Sequence, residues 1–218
     1  MTDITPELLL KAYAYGVFPM AKSRADDKVF WVQPKLRGVI PLDQFQVSRS
    51  LRKTLRKNIL DVTIDTAFSQ VLDYCAETKP GRPETWINAK IIELFTSLHH
   101  AGLAHSIEVW RKGELVGGLY GLAMGAAFFG ESMFSRVDDG SKVALCHLVG
   151  IMKHGGFTLL DTQFITDHLA RFGAIEIPQK DYLAQLSTAL SQHAHFGLPL
   201  PQGALDAALF SQASTQIS

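Results

Sequence analysis

Residues 106–136 read SIEVWRKGELVGGLYGLAMGAAFFGESMFSR. Three apolar runs, Ser106–Trp110, Leu115–Leu122 and Ala126–Phe129, are separated by Lys112-Gly113 and Met124-Gly125. Short apolar runs bounded by glycine-containing turns predict an antiparallel meander. Gly117, Gly118 and Gly121 inside the second run point to a bulge or a close backbone approach. The third run ends in Gly130-Glu131-Ser132-Met133-Phe134-Ser135-Arg136, where Glu131 is a lone carboxylate after an uncharged stretch. A carboxylate buried there needs a partner. At this point an exposed Glu at a strand end and a group belonging to a site both fit.

On the C-terminal side, Asp138-Asp139-Gly140 turns into a helix over Ser141–His154, stopped by Gly155-Gly156. Phe157–Thr162 is an apolar strand, Thr166–Phe172 a short helix, Glu176–Pro178 an edge strand and Asp181–Ser191 a helix. Beyond Gly197 the tail, with Pro199 and Pro201, is expected to be partly disordered. On the N-terminal side, Asn88 caps a helix over Ala89–His100. The turn-rich Glu77–Pro83 suggests a domain boundary near residue 80. Before it come a helix opened by Thr5-Pro6 and stopped by Gly16, strands at Val29–Val32 and Gly38–Ile40, a strand at Asp61–Ile64 and a helix at Thr66–Tyr74. The class is α+β. A small N-terminal α/β domain over 1–80 precedes a larger domain over 81–218 with a mixed, largely antiparallel sheet.

Between them, Ser48 opens a helix with Arg49, Arg52, Lys53, Arg56 and Lys57 at spacing i, i+3, i+4, i+7, i+8, which is one helical face. Leu51, Leu55 and Ile59 lie on another side as anchors. No acid interrupts the stripe before Asp61, so intrahelical ion pairs do not account for it. A solvated face is the plain alternative; clustered like charges favour an anionic partner, and RNA phosphate is the one expected.

The 218 residues carry 21 basic and 21 acidic side chains, so the field of the whole chain does not predict nucleic-acid binding. Hydrophobic content of 47% and charged content of 19% suit a globular protein with a real core. No apolar run approaches the ~18 residues of a membrane span. Met1–Glu7 has no basic n-region, so no secretory signal is expected. Two cysteines, Cys75 and Cys146, make no disulfide framework, which suits a reducing cytoplasm. His105, His147, His154 and His168 have no metal spacing, and neither HExxH nor CxxC occurs, so no metal or cofactor is expected.

The Gly130–Arg136 string resembles the signature of the leucyl/phenylalanyl-tRNA–protein transferases. Tyr15-Gly16-Val17-Phe18-Pro19, His105–Trp110, and Leu160-Asp161-Thr162-Gln163 followed by Asp167-His168 are similar to the same family in the same order. The likeness runs from about Ile4 to about Leu186. It implies a GNAT-like acyltransferase sheet, which agrees with the element order read above. It also implies transfer of Leu or Phe, and of Met as well, from aminoacyl-tRNA to an N-terminal Arg or Lys, marking the acceptor for N-degron-dependent degradation. The family's N-terminal segment is usually longer, so a smaller first domain is expected here.

Such a transfer must deprotonate an amine and stabilise an oxyanion, with no covalent enzyme intermediate. Asp161, at the end of an apolar strand, is expected to face a cleft, hold the acceptor ammonium and take its proton. Gln163, two residues on, shares its face of the strand and bonds the reacting carbonyl or amine. Glu131 is the third candidate, orienting an amino group. By match to the family, Met133, Phe128, Leu119, Leu148 and Leu160 line the pocket for the donor side chain, and Trp86 stacks on the terminal adenine or the acceptor. Two family positions differ: Met20 stands where Trp is usual, and Phe95 where Tyr is. An acetyl-CoA-dependent GNAT enzyme, a non-catalytic tRNA-binding module and a Fem-type enzyme are the alternatives. The first is disfavoured by Asp138 and Asp139 where a pyrophosphate would bind.

Overall fold

The computed structural model describes residues 4–57, 59–78, 83–197, 200 and 203–210. Most of the turn on which the boundary near residue 80 rests, and the end of the tail expected to be disordered, lie outside these residues. Strands β1 (Phe18–Met20) and β2 (Phe30–Val32) form a small antiparallel ribbon. The main sheet holds β3 (Leu36–Ile40), β4 (Asp61–Ile64), β5 (Ala104–Arg111), β6 (Glu114–Met124), β7 (Ala127–Ser135), β8 (Leu159–Gln163) and β9 (Ile175–Pro178). Their spatial order is β4-β5-β6-β7-β8-β3-β9. Every neighbouring pair is antiparallel except β7 with β8, which is parallel. The predicted meander is β5-β6-β7. Its first turn has Lys112 at φ 53° and Gly113 at φ 79°, the left-handed pair that a two-residue hairpin requires.

Strands β3 and β4 both precede residue 80, yet β4 pairs with β5 at one edge and β3 lies between β8 and β9. The sheet is therefore continuous across that point. The edge strand expected at Glu176–Pro178 is β9.

Each face of the sheet carries its own core. Helices α1 (Pro6–Ala14), α3 (Phe68–Ala76), α4 (Ala89–His100) and α7 (Gln179–Leu190) cover one face through Leu9, Val71, Ile91 and Leu186. Helices α2 (Arg49–Lys57), α5 (Gly140–Gly155), α6 (Asp167–Ala170) and α8 (Ala204–Phe210) cover the other through Leu51, Val149, Leu169 and Leu209. The caps follow the sequence. Thr5 Oγ1 accepts from Leu8 N at 3.3 Å, and Asn88 Oδ1 from Ile91 N at 2.9 Å. One local expectation differs. Ile59 lies past the end of α2 and is 58% exposed, so it anchors nothing. The Ala/Leu-rich stretch 204–210 is helical and packs on α5, with Lys153 Nζ donating to Ala208 O at 2.7 Å.

Alternation along the strands decides which core each side chain enters. On β7, Phe128 enters the α5 core and Phe129 the α1/α4 core, yet Met133 enters the α5 side and Phe134 the other. Strict period two would place 128 and 133 on opposite faces. One extra residue between them reverses the parity, and that residue is Glu131.

Candidate active site

The site forms where β7 and β8 part. They pair only over Ala127–Phe129 with Leu159–Asp161, although both run on. Just beyond, each strand bulges away from its other neighbour's register. Gly130 opposes Gly121 and Ser132 opposes Tyr120, so Glu131 has no cross-strand partner. Asp161 opposes Val39 and Gln163 opposes Gly38, so Thr162 has none. Both bulges need glycine opposite them. A Cβ on Gly38 would come 2.7 Å from the Phe164 carbonyl carbon, and one on Gly121 would collide with the Phe129 carbonyl oxygen. The glycine signal read in the second strand thus marks the geometry that turns Glu131 toward the gap.

A cavity of about 300 Å³ fills this gap and reaches both faces of the sheet. On the α5 side its wall is aliphatic: Leu119, Met133, Leu145, Leu148, Leu160 and Leu169. On the α1/α4 side stand Phe18, Met20, Trp86 and Tyr120, with Glu131, Ser132 and Gln163 at the gap itself. Five of the six residues expected to bind substrate therefore line it. Phe128 does not. Its ring is fully buried and stacks on Phe196 at 5.3 Å, deeper in the α5-side core. Met20 lines the cavity where the resemblance led one to expect Trp. Phe95 lies behind the cavity wall, packed edge-on against Tyr120.

Asp161 is not at the cleft. It is fully buried, and each of its oxygens accepts two hydrogen bonds. Arg37 Nε donates to Oδ1 at 2.9 Å and Gln163 N to the same oxygen at 2.8 Å. Arg37 Nη2 and Tyr182 OH each donate to Oδ2 at 2.7 Å. The guanidinium itself is 1% exposed, donates to Gly16 O at 2.9 Å, and lies between the rings of Phe18 and Tyr182 at 4.5 and 4.6 Å. A carboxylate so engaged has no room for a substrate ammonium and faces no cleft. It braces the loop that carries Gln163. Sequence reasoning passed over Arg37, which precedes the strand read at Gly38–Ile40; its one signal is a lone charge beside that apolar run. Burial, with the Asp161 charge second, holds the Tyr182 hydroxyl far above its ordinary pKa.

Gln163 sits at φ +60°, a left-handed conformation that side chains other than Asn, Asp and Gly rarely adopt. The Asp161 bond to its N–H holds it there. Its side chain lines the cavity, and Nε2 is buried without a hydrogen-bond partner among the described residues. A buried amide left so costs about 1–3 kcal/mol, so the free donor marks a place for a ligand atom. The expectation that Gln163 and Asp161 present side by side on one strand face fails, because the bulge at Thr162 separates them. His168, read as structural, also lines the cavity, and its Nε2 too is buried without a partner among the described residues. Burial, with Lys142 and Arg171 adding, lowers its pKa and keeps the ring neutral.

Glu131 is the acid that does reach the cavity. Tyr13 OH donates to its Oε1 at 2.7 Å. Burial, with the Asp161 charge adding, pushes the carboxyl up to about 8, against the pull of Tyr13 and Arg37. The folded chain therefore keeps a proton that an unfolded Glu releases near pH ~4.3. The stability this proton confers is full below that pH and is lost as pH rises through about 8. Glu131→Gln, which cannot ionise, should become more stable than the wild type by a margin that widens by about 2–4 kcal/mol from pH 5 to pH 9. Urea titrations at each pH measure it, and a margin independent of pH would show an unperturbed carboxyl.

The five basic residues of α2 line one shallow groove on the α5 side of the sheet. Thr54, on the same helix, donates to Asp139 Oδ2 at 2.9 Å, and Lys142 Nζ to Asp139 Oδ1 at 2.7 Å. The stripe is thus tied to the start of α5, and a carboxylate stands at that helix's N-terminus. Among the described residues no group of three or more His, Cys, Asp and Glu is placed to hold a metal ion, and no helix is long and apolar enough to cross a membrane.

Comparison with known proteins gives one consistent family. The model of the leucyl/phenylalanyl-tRNA protein transferases matches residues 39–187, and that of their N-terminal domain residues 2–35. A leucyl/phenylalanyl-tRNA–protein transferase of Paramagnetospirillum magneticum is 58% identical over 196 residues, covering 90% of this chain and 94% of its own length. One of Rhodospirillum rubrum is 59% identical over 201 residues, covering 92% and 94%. Among solved structures, FemX is a distant likeness, with TM-score 0.49 and 12% identity over 81% of this chain and 68% of that one.

Proposed function

The chain belongs to the leucyl/phenylalanyl-tRNA–protein transferase family, and from that premise we propose how its cavity moves an aminoacyl group from tRNA to a protein N-terminus. One observation carries the reading: a single cavity joins an aliphatic wall to a polar gap that holds Glu131 and an unpartnered Gln163 amide. The donor's Leu, Phe or Met side chain lies against Leu119, Met133, Leu148 and Leu160. Methionine adapts to branched and aromatic shapes alike. The ester carbonyl then faces Gln163, whose Nε2 donates to the oxygen as it becomes an oxyanion. The acceptor amine attacks the carbonyl carbon, the C–N bond forms, and the tRNA 3′ oxygen leaves with a proton. Glu131, whose carboxyl exchanges its proton near pH 8, receives one from the ammonium in its ionised form. Asp161 acts through Gln163, as a positioning residue.

The parallel β7/β8 pair that splays open beside a meander supports the GNAT-like form of the fold. A small N-terminal unit over residues 2–35, shorter than 1–80, is supported by the span of the family's N-terminal match and by the entry of β3 into the main sheet. Trp86, on the α1/α4 side, offers a face for the terminal adenine or the acceptor peptide; base stacking contributes about 1–3 kcal/mol. N-terminal Arg or Lys as the acceptor, a cytoplasmic location and a role in N-degron-dependent degradation complete the reading.

The test uses labelled Leu-tRNA with one acceptor protein beginning with Arg and the same protein beginning with Ala. Transfer to the Arg form alone is expected. Transfer to neither, with tRNA still bound, overturns the acceptor rule. For the α2 stripe, Arg49→Glu with Lys53→Glu should weaken tRNA binding and reduce the slope of log K against log salt by about 1.5–2. An unchanged slope would make the stripe a solvated face.

A further inference from the structure

We propose that the Tyr120 hydroxyl contacts the α-ammonium of the donor aminoacyl ester, and so selects donors with a free α-amine. The inference rests on the transferase reading above and adds a specificity residue to it. Tyr120 lies on β6 opposite Ser132, at the bulge that releases Glu131, and lines the cavity. Its ring is fully buried and fixed edge-on by Phe95 at 5.3 Å and by Phe68 at 6.1 Å. Among the described residues the buried hydroxyl oxygen has no hydrogen-bond partner. A buried tyrosine hydroxyl ordinarily finds one. Burial, with the Glu131 charge second, raises its pKa well above the usual value, so it stays a neutral hydroxyl.

The donor α-carbon bears three groups, and the cavity has three kinds of wall. The side chain goes to the aliphatic wall on the α5 side and the carbonyl to Gln163. The amine is left pointing to the α1/α4 side, where Tyr120 and Glu131 stand. An ammonium has three N–H donors, and a phenol oxygen and a carboxylate can each accept one. Tyr13 already takes one Glu131 oxygen, so Tyr120 supplies an acceptor that the carboxylate alone does not.

Two unreactive probes test this: 3′-(L-phenylalanylamino)-3′-deoxyadenosine and its 3-phenylpropionyl counterpart, which lacks only the α-amine. Their affinities are measured by calorimetry on the wild type and on Tyr120→Phe, which keeps both ring contacts. The preference for the amino probe should fall about tenfold in the variant, with the phenylpropionyl probe bound as before, since hydrogen bonds to charged groups are the stronger ones. An equal preference in both proteins, or equal loss of both probes, overturns the proposal. The Leu-tRNA transfer assay on the same wild-type preparation separates the two readings: transfer intact with an unchanged preference sinks only the role of Tyr120.

Discussion

Arg37→Met should destabilise the protein by about 3–5 kcal/mol, because it leaves a buried carboxylate without its counter-charge. Asp161 would keep only Tyr182 OH and the Gln163 N–H, and Gly16 O would lose its donor as well. Water cannot replace the guanidinium cheaply, since both partners of the pair are buried and the site is walled by the rings of Phe18 and Tyr182. Transfer should fall with stability, because Asp161 holds the Gln163 backbone. Adding Asp161→Leu to Arg37→Met should recover part of the stability, as an apolar pair of similar volume replaces a buried ion pair. It should recover none of the transfer. Urea unfolding of the three variants checks this, and a loss below about 1 kcal/mol for Arg37→Met would mean that water reaches Asp161 after all.

Gln163→Asn should lower kcat about 10²–10³-fold while leaving folding and KM nearly unchanged. Asparagine tolerates the left-handed backbone at this position better than most residues, so the Asp161 contact survives. The amide, however, falls short by one methylene. An oxyanion donor acts only when it sits where the charge develops, so a displacement of about an ångström is costly to rate and not to ground-state binding. If kcat and KM both worsen together, Gln163 is a binding contact and not an oxyanion donor. If Asn is fully active, the cavity's free amide has no part in the reaction.

Much of this was readable along the chain. The meander, its turns and the caps at Thr5 and Asn88 follow from local pattern. So does the basic stripe on α2, whose spacing of three and four sets five charges in one groove. The aliphatic cavity wall came instead from the resemblance to the family. The glycines of β6 announced a bulge, though not that its product is the placement of Glu131. What the pattern misjudged was the placement of Asp161 at a cleft. A carboxylate at the end of an apolar strand has the same look whether it faces a cleft or an arginine.

Sequence by itself determined most of the strands and helices, because turn, cap and periodicity signals act within a few residues. Only the tertiary structure decided which charges meet. Arg37 and Asp161 are 124 residues apart, and Tyr13 and Glu131 are 118 apart. No local rule links them. They meet because β3 enters the sheet beside β8 and α1 lies across the face toward which the β7 bulge turns Glu131. That packing seals one carboxylate as a brace and leaves the other in the gap, beside the Gln163 amide and the Tyr120 hydroxyl.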